Sequence, residues 1–79
     1  MKHARSDYNR IQDPKNKIGK DEPVFLIRAQ DSVAPFAIRA WADYNDAMNG
    51  DPVISRMARD QAVEVEKWQK INGSKMSDL

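Results

Sequence analysis

Apolar and polar positions change their rhythm three times along the 79-residue chain. Residues 1–22 are polar almost throughout, with Tyr8, Ile11 and Ile18 as isolated anchors, and "DPKNKIGKDEP" is dense in charges and turn formers. Asp13-Pro14 favours a turn, Gly19 permits positive φ, and Pro23 disfavours helix at Glu22. The next stretch, Val24, Phe25, Leu26 and Ile27, is unbroken and rich in β-branched and aromatic side chains. It predicts an extended segment over 24–30, although a short apolar run also suits the first part of a buried helix. As a strand it would place Val24, Leu26 and Arg28 on one face and Phe25, Ile27 and Ala29 on the other. Both faces then carry large apolar groups.

From Pro35 the spacing lengthens to three and four. A helix over about 35–48 is expected, with Pro35 as its first residue, Ala34 outside, and an earlier capping start at Asp31 or Ser32 as the other option. Ala37, Ala40, Trp41, Tyr44 and Met48 share one face with Phe36 beside them, and that face is the expected core. "MNGDPVI" then ends one helix and starts another: Asn49-Gly50 suits a left-handed terminus, Asp51 an N-cap and Pro52 the first helical position. So short a joint predicts an antiparallel hairpin. The second helix, about 52–71, presents Ile54, Met57, Ala58, Val65 and Trp68 on one face with Ala62 near its edge, and stops at Gly73. Arg56 with Asp60 and Glu66 with Lys70 stand four apart as solvated pairs.

The organisation read from this pattern is a polar arm over 1–22, one small domain over 23–73 and a tail over 74–79. The fold class is α+β, mainly helical. A strand needs partners for its backbone groups, and a second strand pattern is not visible. The polar arm, the same strand in another copy, or no ladder at all with the segment lying across the helices are the open alternatives. A chain this short buries only about 60% of the surface it exposes when unfolded. Small domains gain the missing stability from disulfides, metals or association. With no cysteine and one histidine, His3, association is the expectation, so Val24, Phe25, Leu26, Ile27, Tyr8 and Ile11 are the candidate oligomer seam.

Charge changes this picture little. Residues 1–22 carry six Lys or Arg against four Asp or Glu, residues 23–50 two against three, and residues 51–79 five against five, for a net +1. This is not the basic footprint of a duplex binder, so nucleic acid is not an expected partner. No run approaches the roughly 18 apolar residues of a membrane span and the start lacks the apolar core of a signal peptide, which points to the cytoplasm.

Candidate chemistry is sparse. His3 has no histidine or cysteine to share a metal with, the serines show no paired base or elbow sequence, and the glycines are too scattered for a phosphate cradle. Neither enzyme nor cofactor is expected. Arg28 and Arg39 could converge on a small anionic ligand, with Trp41 or Tyr44 as a stacking face. The competing role for Arg28 is an ion-pair lock with Asp31, Asp43 or another acid at a seam, which arginine favours. Trp41, Tyr44 and Trp68 at helical spacing are first of all core, or half buried at a subunit contact.

The stretches "DYNRIQDP", "DEPVFLIRAQD", "IRAWADYN" and "GDPVISRMARDQAVEVEKWQ" resemble a group of small, functionally uncharacterised proteins of bacteriophages and proteobacterial prophages, over nearly the whole chain. The resemblance implies a phage-type accessory protein in the bacterial host cytoplasm; that it is a homo-oligomer is the separate expectation from its length and thin core. It would bind and block a host component, a host protein or an anionic nucleotide-like ligand of antiviral defence; the alternative is a protein–protein adaptor or a structural part of a phage or regulatory complex.

Overall fold

The structure is a computed structural model, and it describes residues 2–3 and 13–77. It is mainly helical: α1 spans Ala34–Ala47 and α2 spans Pro52–Asn72. Two short extended pieces, β1 at Lys2–His3 and β2 at Pro23–Val24, pair in parallel with Lys2 opposite Pro23 and His3 opposite Val24. Of the lead-in between them, the described residues 13–22 are made of local turns. Both carboxylate oxygens of Asp13 accept from the backbone, from Lys17 N at 3.1 Å and Ile18 N at 2.9 Å. The positive φ in this stretch falls on Asn16, at 51°, rather than on Gly19.

The strand expected over 24–30 is corrected to two residues. The polar arm does supply a ladder partner, but only over β1, and residues 25–28 carry no ladder. Further along, the backbone acceptors are taken by the helical end of the molecule: Gln69 Nε2 donates to Ala29 O at 2.8 Å and Lys75 N donates to Gln30 O at 2.8 Å. Once those carbonyls are held there, the chain turns at Ala29–Gln30 instead of running straight. Alternation survives in burial. Val24 and Leu26 are half-buried, while Phe25 and Ile27 are exposed.

α1 starts one residue earlier than the spacing suggested, at Ala34, with Pro35 second. Proline is tolerated there because the first four helical N–H groups have no intrahelical acceptor. The entry is built by Asp31, whose Oδ1 accepts from Val33 N at 2.9 Å and whose carbonyl accepts from Ala34 N at 3.0 Å. That local turn outweighs the bias of a pre-proline residue against helical geometry.

The joint between the helices follows its sequence signals. Asn49 takes a left-handed φ of 61°, and Asp51 caps α2 by accepting from Val53 N at 2.9 Å. Gly50 is constrained by space: a Cβ there would collide with Asn45 Oδ1. At the far end Gly73, with φ of 80°, donates its N–H to Gln69 O at 2.7 Å and closes α2. The helices are antiparallel, since Arg39 of α1 reaches Glu66 while Asn45, further along α1, reaches back to Ser55.

The expected core face is also corrected. Ala34, Ala42 and Ala62 are fully buried, with Val65 and Ser55, while Trp41, Tyr44, Met48, Ile54, Met57 and Trp68 are exposed. The seam runs along Ala34, Ile38, Ala42 and Asn45 on α1 against Ser55, Ala58, Ala62, Val65 and Gln69 on α2. Small side chains let two backbones approach closely, and large ones at those positions would hold them apart. The bulky apolar residues are therefore displaced to the side.

Residues 74–75, read from the sequence as tail, are stitched into the fold. Ser32 N donates to Lys75 O at 2.8 Å, and the hydroxyl of Ser32 donates to that of Ser74 at 2.9 Å. With the Gln69 carboxamide, which also donates to Asp31 O at 3.0 Å, this forms a clasp joining the entry of α1 to the exit of α2.

Candidate functional site

The hairpin has two unlike flanks, and a single step in sequence separates them. Five of the large exposed apolar residues stand one position before a seam residue: Trp41 before Ala42, Tyr44 before Asn45, Ile54 before Ser55, Met57 before Ala58, Trp68 before Gln69; Phe36, Val53, Val63 and Ile71 are exposed at other positions. One position back is a rotation of about 100° around a helix. In an antiparallel pair, the same rotation from a shared contact line points to the same side of both helices. All five therefore line one flank, and Met48, just past the end of α1, continues it.

Residues one position after a seam residue line the opposite flank, and they are mostly charged. Arg39 Nη2 donates to Glu66 Oε1 at 2.5 Å. Arg59 Nη2 bridges both acids of α1, at 2.8 Å from Asp43 Oδ1 and 2.7 Å from Asp46 Oδ2. Glu66 is drawn across to Arg39 as well as lying near Lys70 on its own helix, and both fields hold its carboxyl below the usual range, the Arg39 hydrogen bond most.

One polar group sits inside the seam. Ser55 is fully buried and its Oγ accepts from Asn45 Nδ2 at 2.8 Å, while the second N–H of that carboxamide reaches Asp51 O at 3.2 Å. Ser55, together with Arg59, holds the Asp46 carboxyl below its usual range. Asn45 thus ties the start of α2 to the buried hydroxyl of the seam. Being satisfied, this chain of bonds is a structural lock rather than reactive chemistry.

The residues singled out from sequence do not form one constellation. Arg39 lies on the charged flank, engaged by Glu66, and Trp41 and Tyr44 lie on the apolar flank, so no stacking face stands beside that guanidinium. Arg28 is exposed, two residues after the half-buried Leu26. Asp43, one of its expected acids, is held by Arg59. Phe25 and Ile27 are exposed, Val24 and Leu26 half-buried, and Tyr8 and Ile11 lie outside the described residues.

Two shallow recesses lie elsewhere. One, of about 510 Å³, is lined by Asp13, Asn16, Lys17, Ile18, Gly19 and Lys20. The other, of about 260 Å³, lies over the clasp between Gln30, Trp68 and Lys75. Neither brings together a nucleophile with a base or a set of metal ligands. Among the described residues no three His, Cys, Asp or Glu side chains are grouped to hold a metal, and no helix is long and apolar enough to cross a membrane.

Sequence periodicity found the apolar flank but mistook it for the core. It missed Gln69, Asn45 and Ser55, whose only signal is a polar residue at a seam position of each helix. Comparison with protein-family models, curated proteins and solved structures finds no match for this chain.

Proposed function

We propose that the chain is a small non-enzymatic protein-contact module of the adaptor kind, working through the apolar flank of its hairpin. The observation that carries this reading is the division of the surface. Arg39 with Glu66 and Arg59 with Asp43 and Asp46 are engaged across one flank, while Trp41, Tyr44, Met48, Ile54, Met57 and Trp68 stand exposed in line on the other. Contiguous exposed apolar surface of this kind marks interaction sites. The resemblance to phage and prophage proteins extends the reading to a phage-type accessory acting in the bacterial cytoplasm, on a host protein or within a complex of its own. An anionic-ligand role is less well supported, because Arg39 and the two rings face opposite ways.

A photoreactive side chain placed at position 44 tests the reading when the protein is expressed in bacteria. Discrete polypeptide adducts should form there and be absent when the probe is moved to position 56 on the charged flank. Equal labelling at both positions, or no protein adduct at all, would remove the proposal. A nucleotide that raises the melting temperature of the wild type but not of Arg28→Ala would replace it with the ligand reading.

A further inference from the structure

We infer that the apolar flank is covered by a second copy of this chain, the two hairpins packing about a two-fold axis as a four-helix dimer. This rests on the protein-contact reading and names the occupant. The first argument is area. Trp41 is 51% exposed, Tyr44 70%, Met48 80%, Ile54 44%, Met57 59% and Trp68 42%. Together these leave on the order of 800 Å² on one flank, which is what each partner contributes to a standard interface.

The second argument is permanence. Three alanines, a valine and a serine make the buried part of the seam, and no large apolar side chain is fully buried among the described residues. So small a core gives little hydrophobic stabilisation against the entropy of ordering two helices. Apolar burial is needed whenever the chain is folded, and the one species present in proportion to every folded chain is another copy of itself. A transient partner does not meet that requirement.

The third is electrostatic compatibility. A two-fold contact places a surface against itself, so any charge on it meets its like. None of the six side chains is charged, and Ala37, Ala40 and Gln61, on the same side, add none; the one acid one position before a seam residue, Glu64, has its charge met by Lys67 at 3.3 Å on its own helix. The opposite flank carries ion pairs, Arg39 with Glu66 and Arg59 with Asp43 and Asp46, whose burial would cost desolvation, and it remains in water. The seam expected over 24–27 thus moves to the helices, and Phe25 and Ile27 are left outside it for a further contact.

Sedimentation equilibrium at micromolar concentration should show a two-chain species for the wild type and for Arg56→Glu. Tyr44→Glu should weaken association roughly a hundredfold, as expected for losing a central aromatic anchor. A monomeric wild type, or a dimer indifferent to Tyr44→Glu, overturns the inference. Should Tyr44→Glu fail to fold, a mixture of isotopically light and heavy chains carrying the photoreactive group at position 44 decides the matter. Light-heavy adducts landing on the 54–57 turn of α2 support the dimer, and their absence overturns it. If the chain is monomeric while the same probe captures one bacterial protein, the second copy is excluded and the protein-contact reading stands; if no adduct of any kind forms, both fall.

Discussion

Ser55 shows how much a single small side chain can hold at the joint of a hairpin. Its hydroxyl accepts from Asn45 and helps lower the pKa of Asp46, and it does so with no exposure to water. Replacing it by alanine removes the bond from Asn45 and leaves a half-buried carboxamide short of an acceptor. Ser55→Ala is therefore expected to cost about 1–3 kcal/mol, measured by urea unfolding. The acid limb changes too, and its sign follows from the Asp46 shift. A carboxyl whose folded pKa lies below its unfolded value adds stability above the unfolded pKa, near 4, and loses it as pH falls through the folded pKa. Ser55 is the largest cause of that depression, ahead of Arg59. The variant should show a shallower loss of stability below about pH 4 than the wild type; parallel acid limbs would show that the hydroxyl does not favour the charged form of Asp46.

At the scale of elements, what was legible in the sequence was punctuation. Asp51 and Pro52 open α2, Asn49 and Gly50 make its joint, and Gly73 closes it, each because local geometry restricts which residue can stand there. The packing face was legible only in part: spacing put Ala58 and Val65 on the α2 face with Ala62 at its edge, but it locates the largest apolar side chains whereas two close helices meet through their smallest. On α1, Ala42 carried no signal that distinguished it from Ala37 or Ala40. The strand over 24–30 failed for a related reason: β propensity describes a residue's tolerance for extended backbone, while the ladder depends on a partner in space. Here the partners are Gln69 and Lys75, remote in sequence. The clasp they form is expected to act as one opening unit. Gln69→Ala should speed amide exchange at Ser32 and Lys75, whose N–H groups lie in the clasp, while Ser55 and Ala58 in mid-hairpin keep their protection. Uniform acceleration along both helices would mean instead that the clasp and the hairpin open together.

For the whole molecule, the two readings of its aromatic residues become one. Periodicity marks Trp41, Tyr44 and Trp68 as buried, the single chain exposes them, and both statements hold if burial is completed by association. On the dimer inferred above, a hairpin with so small a buried seam and six bulky apolar residues along one flank would be half of a larger core. Its stability should then depend on concentration, since anything that binds only the folded form stabilises it by mass action. Both tryptophans lie on that flank and report on it directly. On dilution of the wild type, their emission should move to the red in step with the fall in sedimentation coefficient, as indole rings pass from an apolar contact into water. Trp41→Phe and Trp68→Phe, each leaving one reporter, should give the same midpoint, because one two-fold surface covers both rings. Two different midpoints would show the rings to be covered by separate events, and an emission maximum unchanged over the whole concentration range would place the two indoles in water in every state of the protein.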